Sequence, residues 1–173
     1  MPPPASPHLA IYDHIILPML RGLDALSAIL AKAKSHCESQ GIDQAALLNA
    51  RLFPDMLPFT RQVQLVADFT RRGPDRLCGR TTESVPDTET SFAELRARLA
   101  SARAYNASFT PADFEGAATR EVILPLRSGE RLMSGIDFLT GIVLPNFYFH
   151  MATAYDLLRH NGVVIGKADF LGA

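Results

Sequence analysis

The chain has 173 residues, of which 47% are hydrophobic, so it is long and apolar enough for one domain with a sizeable core. Its formal net charge is −1, and lysine and arginine are spread along the sequence. This distribution argues against nucleic acid and anionic membranes as partners, and we predict a single domain over residues 1–173.

The chain ends and the cysteines bear on the cellular compartment. Residues 1–8, MPPPASPH, lack a basic start and a cleavage site, so they predict a short arm instead of a secretory signal. The most apolar long window, 136–158, contains several polar residues and a proline, which are costly in hydrocarbon. Cys37 and Cys78 are isolated and have no metal-binding spacing. These features predict a cytoplasmic protein without a membrane span and with reduced thiols.

The first predicted element is a long amphipathic helix. Apolar residues recur at steps of three and four over 9–33, with charged residues on the other side. Pro18 lies within this stretch and predicts a kink or a later start. Gly41 suits a left-handed cap, so the helix is expected to end just before it.

A second helical pattern starts at Asp43, a suitable N-cap, and is expected to end at Gly73-Pro74. Pro54 and Pro58 lie inside it, four residues apart. Each proline removes an amide donor, so we expect a bent helix with unpaired carbonyls there. Such a segment is a reasonable place for a pocket.

The third helix follows a predicted surface loop over 73–90, which is rich in glycine, proline and threonine. Ser91 and Glu94 have the spacing of a capping box. Apolar residues then recur at helical steps as far as Asn106. We therefore predict a third helix that begins after Ser91.

The last third of the chain combines a hairpin with a helix. Residues 119–133 contain two apolar runs, 122–124 and 132–133, on either side of a turn that contains glycine, which predicts a small β-hairpin. Ser134 and Asp137 can cap a fourth helix that ends at Gly162. The apolar tail, 163–173, is expected to pack back on the helices. The fold class is therefore an all-α four-helix bundle with a small β-hairpin before the last helix.

Polar residues on the fourth helix mark a candidate site. Asn146, His150 and Thr153 stand at intervals of four and three on a helix that is otherwise apolar on nearly all sides. Histidines placed in this way build metal and proton-transfer sites in helical bundles. The alternative is a core histidine that is hydrogen-bonded to a neighbour.

The second predicted helix carries a matching polar face of Arg51, Asp55 and Gln62. If this face meets the fourth helix, Asp55 could accept a hydrogen bond from His150 or act as a metal ligand. The alternative is an Arg51–Asp55 ion pair on a solvated face. Tyr155 could add a hydroxyl group to the cavity.

Three groups of residues carry a family resemblance: RLFPDM (51–56) with QVQ (62–64), LPNFYFH (144–150) and YDLLRHNG (155–162). There the chain resembles a bacterial family of unknown function within the DinB/YfiT-like superfamily, over nearly its whole length. The resemblance implies an up-down-down-up bundle that is commonly dimeric. It also implies kinship with metal-dependent enzymes, including thiol-dependent S-transferases and a maleylpyruvate isomerase.

The resemblance also implies a metal site built from one histidine of helix two and a His-x-x-x-His pair of helix four. His150 precedes Arg159 by nine residues, as the second histidine of that pair does. Asn146 replaces the first, and the predicted helix two has no histidine. Asp55, Asn146 and His150 could therefore form only a weaker site for a harder divalent ion.

We therefore predict an uncharacterised DinB-like protein with a degenerate metal site. A pocket lined by Asp55, Gln62, Asn146 and His150 would bind a small molecule, and His150 would move a proton. Two alternatives stay open: a metal-dependent hydrolase or thiol S-transferase, and a non-catalytic homodimeric binding or structural protein.

Overall fold

The computed structural model describes residues 11–126 and 129–173. The predicted N-terminal arm and the turn residues 127 and 128 lie outside this part. In chain order the elements are α1 (Ile11–Gln40), α2 (Gln44–Leu48), α3 (Phe59–Leu77), α4 (Phe92–Ala107), a 3₁₀ turn (Pro111–Phe114), β1 (Glu121–Leu126), β2 (Gly129–Ser134), α5 (Gly135–Phe138), a π-helical turn (Leu139–Val143), α6 (Leu144–His160) and α7 (Lys167–Leu171).

Side-chain contacts fix the directions of the four long helices, α1, α3, α4 and α6. α1 runs antiparallel to α4, α4 runs parallel to α3, and α3 runs antiparallel to α6. The pairs that show this are Asp24–Arg103, Ser27–Arg96, Asp68–Arg98, Arg71–Ser101, Gln62–His150 and Gly73–Val143. The predicted all-α, up-down-down-up bundle is therefore confirmed, and the β1–β2 hairpin precedes its last helix.

The core lies between the four long helices and is supplied most heavily by α1. Twelve residues of α1 are buried, eleven of them apolar or cysteine and one a glycine. Among the described residues, α1 alone is long and apolar enough to cross a membrane. Its apolar side faces the bundle, as in the core helix of a soluble protein.

Two glycines allow close helix contacts next to the polar residues of α6. A Cβ atom at Gly22 of α1 would lie 2.6 Å from the ring of Phe147. A Cβ atom at Gly73 of α3 would lie 2.5 Å from Val143. Both distances are far below van der Waals contact, so larger side chains would push α6 away. This packing holds α6, and with it His150, against α3.

The predicted bounds of the second helix are wrong. α2 covers only five residues, the chain between Asn49 and Pro58 is not α-helical, and α3 begins at Phe59. Pro54 and Pro58 explain the break, because a proline disfavours helical conformation in the residue before it and donates no hydrogen bond. The predicted end at Gly73-Pro74 is also wrong, because α3 continues through a buried Pro74 to Leu77.

Pro18 does not delay the first helix, because α1 runs from Ile11 through it. The predicted fourth helix contains a π-helical turn between α5 and α6.

Most other features agree with the sequence prediction. Gly41 has the left-handed φ of 65° that follows α1. Ser91 Oγ accepts a hydrogen bond from Glu94 N, and Ser134 Oγ accepts one from Asp137 N. The tail buries Val163 and Ile165, after which α7 packs on α1. Cys37 and Cys78 are free thiols.

Candidate functional site

The structure pairs His150 of α6 with Gln62 of α3. His150 Nδ1 lies 2.8 Å from Gln62 Oε1, and Gln62 Nε2 donates a hydrogen bond to the Leu57 carbonyl over 3.0 Å. The amide NH₂ group of Gln62 donates to that carbonyl, so the amide oxygen faces the imidazole. Nδ1 of His150 must therefore be the donor in the bond to Gln62. The neutral ring then carries its proton on Nδ1 and a lone pair on Nε2.

Aromatic rings enclose the imidazole of His150. Phe69 of α3 stacks on it with ring centroids 5.8 Å apart, and Phe149 meets it edge-on at 5.3 Å. His150 is only 8% exposed. Burial and then the positive charge of Arg61 lower the pKa of the imidazole below its ordinary value. His150 is therefore neutral at physiological pH.

His150 Nε2 is the ring nitrogen without a hydrogen-bond partner in the part of the chain that the structure describes. Among the described residues, this nitrogen has no hydrogen-bond partner, yet it is not among the fully buried unpaired atoms, which are Thr82 Oγ1, Arg98 Nε and Asn106 Oδ1. A basic lone pair without a partner can accept a hydrogen bond or a proton from a ligand.

The structure does not bring Asp55 to His150. Asp55 is exposed on the segment between α2 and α3, where we had expected a helix facing α6. Arg51 is exposed on the same segment and donates to the Met56 carbonyl, not to Asp55. The acceptor at His150 is Gln62, seven positions further along the chain.

The remaining predicted residues have their hydrogen bonds or ring contacts with groups other than His150. Asn146 donates to the Ile142 carbonyl and Thr153 donates to the Phe149 carbonyl, each over 2.7 Å. Both bonds run back to the preceding turn of the same helix. The ring of Tyr155 packs edge-on against Phe170 of α7, with centroids 5.8 Å apart. Of the predicted residues, Gln62 is the one that hydrogen-bonds to His150.

A buried arginine forms a second polar centre that the sequence analysis missed. Arg98 of α4 has a side chain 4% exposed and donates to Asp68 of α3 over 2.7 Å. It also donates to Glu89 over 3.0 Å and to the Pro86 carbonyl over 2.9 Å, both in the loop before α4. Its position three residues after Leu95, on the apolar stripe of α4, is the signal that could have revealed it.

A cavity of about 560 Å³ lies beside both polar centres. Arg61 lines it and lowers the pKa of His150, whereas Leu57 lines it and holds Gln62 through its carbonyl. Asp87 and Glu89 also line it, and Asp87 forms an ion pair with Arg61 over 2.5 Å. This cavity is not the pocket predicted around His150, because its lining includes none of the four residues predicted for that pocket, which are Asp55, Gln62, Asn146 and His150.

The comparison with known domain families decides where this bundle belongs. Residues 11–171 match the family described as Domain of unknown function (DUF1993). The chain belongs to the DUF1993 family. No curated protein matches it.

A solved structure places this DUF1993 fold among DinB-like bundles. It is a crystal structure of a DinB family member protein from Shewanella denitrificans, 41% identical in sequence. The TM-score is 0.89, and the alignment covers 94% of this chain and 92% of that chain. The predicted membership of the DinB-like superfamily is therefore confirmed.

The residues of this DUF1993 protein do not fit the metal site implied by the superfamily. Among the described residues, no three His, Cys, Asp or Glu side chains come together as a metal-binding group. His150 has the Gln62 amide beside it where a second histidine or a carboxylate would be needed. One imidazole and a neutral amide are a poor donor set for a divalent ion.

Proposed function

We propose that this DUF1993 protein binds a small organic molecule at His150, which accepts a hydrogen bond or a proton from it through Nε2. The bond from His150 Nδ1 to Gln62 Oε1 carries this proposal, because it fixes the tautomer that leaves Nε2 basic. The lowered pKa supports it further, because the ring is neutral without a ligand.

The same arrangement suits proton transfer. A weakly acidic O–H, N–H or S–H group of the ligand would give its proton to Nε2, leaving an anionic ligand and an imidazolium. The Gln62 oxygen would then accept a stronger hydrogen bond from Nδ1–H, because donors on charged groups bind more tightly. Gln62 is thus a positioning residue, and His150 is the group that contacts the ligand.

A panel of small phenols, imides and thiols provides the test, with binding followed by saturation-transfer NMR on the full chain. We expect His150→Gln to weaken binding of the panel members about tenfold or more, because the accepting nitrogen is lost. His160→Gln, at the exposed end of the same helix, is the matched control and should bind as the native protein does. If no member binds, or if His150→Gln binds equally well, the proposal is wrong.

A non-catalytic homodimer is the second candidate. Phe53, Leu57 and Phe149 are large apolar side chains that stay exposed, and the Phe149 ring contacts His150. A second copy of the chain would cover such side chains. In this account the His150–Gln62 bond only fixes the register of α3 and α6, so His150→Gln lowers the melting temperature without affecting ligands. A monomer in analytical ultracentrifugation would rule this candidate out.

Cytoplasmic location is part of the same proposal, and the free thiols of Cys37 and Cys78 support it. A metal-dependent hydrolase or thiol S-transferase would need ligands beyond His150. Elemental analysis of protein purified without a metal-affinity tag tests that version. A stoichiometric ion that is lost in His150→Gln would support it.

A further inference from the structure

We propose a second binding site, for a phosphate-bearing small molecule, at the C-terminal end of α3. A cavity of about 390 Å³ opens there, lined by Arg72, Arg76, Arg80, Thr81, Thr82 and Ser84. Three guanidinium groups and three hydroxyl groups in this lining can donate hydrogen bonds, which is the chemistry that recognises a phosphate group. The site does not include His150 and is independent of the function proposed above.

The chain holds the three arginines on one side of the helix end. Arg72 and Arg76 are one turn apart on α3, so their side chains lie on the same face. Arg80 follows the end of α3, and its backbone N–H is bonded to the Asp75 carbonyl over 2.7 Å. This bond closes the last turn of α3, and Arg80 lines the same cavity as Arg72 and Arg76.

The charge balance leaves one of these arginines without a counter-ion. Arg72 pairs with Asp68 over 3.1 Å, and Arg80 pairs with Asp113. Arg76 forms no ion pair or hydrogen bond with the described residues. Burial and then the nearby charge of Arg72 lower its pKa. A bound anion beside Arg76 would raise its pKa again, because a negative charge favours the protonated guanidinium group and offsets burial and the charge of Arg72.

The helix end itself does not explain Arg76. Cations are favoured near C-terminal carbonyls, but those of α3 already have partners. The carbonyls of Pro74 and Asp75 accept from Cys78 N, that of Arg76 accepts from Gly79 N, and that of Leu77 accepts from Arg120. The guanidinium of Arg76 lies instead beside the Phe138 ring, 5.9 Å from its centroid.

A buried hydroxyl group supports the assignment independently. Thr82 Oγ1 is buried and has no hydrogen-bond partner among the described residues, although Thr82 lines the cavity. An unpaired buried hydroxyl is costly, and an oxyanion would accept its hydrogen bond. Glu83 also lines the cavity and is exposed, so it repels ligands that carry many negative charges. The volume suits a phosphate with a small organic group.

Isothermal titration of the full chain with inorganic phosphate, phenyl phosphate and benzoate at low ionic strength tests the proposal. We expect phenyl phosphate to bind saturably and more tightly than benzoate. Arg76→Gln should weaken it about tenfold or more, whereas Arg131→Gln, which removes the same charge from exposed β2, should change it less than twofold. Absence of saturation, tighter binding of benzoate or equal effects of the two variants would overturn the proposal.

Two further variants test the role of the Thr82 hydroxyl group and the independence of the phosphate site from His150. Thr82→Val should weaken phenyl phosphate binding without lowering the melting temperature, because it removes a hydroxyl group that has no partner in the free protein. Unchanged binding would overturn the role of Thr82. His150→Gln should leave phenyl phosphate binding unchanged, and this result separates the phosphate site from the function proposed for His150. A matching loss in that variant would contradict their independence.

Discussion

Replacement of Arg98 by alanine is expected to lower the free energy of unfolding by about 3–5 kcal/mol, because it breaks a buried ion pair and leaves its partners behind. Asp68 and Glu89 would stay in a protein interior without the guanidinium group that now bonds to both. The Pro86 carbonyl would lose its donor as well. This is the largest effect that we expect from a single polar substitution.

Urea denaturation followed by circular dichroism at 222 nm measures this change. Arg96→Ala is the matched control, because Arg96 lies on the exposed side of the same helix and makes only a long bond of 3.4 Å to Ser27. We expect its effect to stay below about 0.5 kcal/mol. If Arg98→Ala lowers the free energy of unfolding by less than about 1 kcal/mol, the cluster of Arg98, Asp68 and Glu89 does not have the stabilising role assigned to it.

The Arg98 cluster also connects the loop before α4 to α3. Burial alone would raise the pKa of Glu89, but hydrogen bonds from Gln64 and Arg98 outweigh it, and the pKa is lowered. A carboxylate with a lowered pKa stabilises the fold above its unfolded pKa and loses that contribution as the pH falls through the folded value. The cluster therefore adds to the acid sensitivity of the protein.

The sequence predicted the helices where apolar spacing and capping residues agree. Ser91 and Ser134 mark the starts of helices, and the structure confirms both caps. The break between α2 and α3 escaped prediction because apolar residues keep a helical spacing across Pro54 and Pro58. Local proline geometry outweighs that pattern when the segment lies on the surface and has no packing to hold it helical.

The candidate site was predicted in part. The sequence singled out His150 and named Gln62 among the pocket residues. It assigned the role of hydrogen-bond partner of His150 to Asp55, whereas the structure gives that role to Gln62. Spacing along one helix shows which residues share a face, not which side chain a neighbouring helix places opposite them. That choice depends on the rotation of α3 against α6, which tertiary packing at Gly73 and Val143 decides.

Gln62→Glu is expected to raise the pKa of His150 by about one to three units, because a carboxylate beside an imidazole favours the protonated ring. In the native protein the partner is a neutral amide, and burial and Arg61 hold the pKa down. NMR titration of the His150 ring measures the change. Gln62→Met, which removes the acceptor without adding charge, is the control and should keep the pKa below its ordinary value.

The same substitution should reverse the pH dependence of stability that comes from His150. In the native protein the folded pKa of His150 lies below the unfolded value of about 6.5. This contribution is therefore present above about pH 6.5 and is lost as the pH falls from there through the folded pKa. In Gln62→Glu the folded pKa lies above the unfolded value, so the contribution is present below about pH 6.5 and is lost as the pH rises. Equal pH profiles for Gln62→Glu and Gln62→Met would contradict the contact.

The central claim is that His150 offers a basic Nε2 atom because Gln62 holds the proton on Nδ1. Nitrogen-15 chemical shifts of the His150 ring in the native protein at pH 7 test it most directly, since they distinguish the two neutral tautomers and the imidazolium. We predict a neutral ring protonated at Nδ1. A ring protonated at Nε2, or an imidazolium at this pH, would contradict the account.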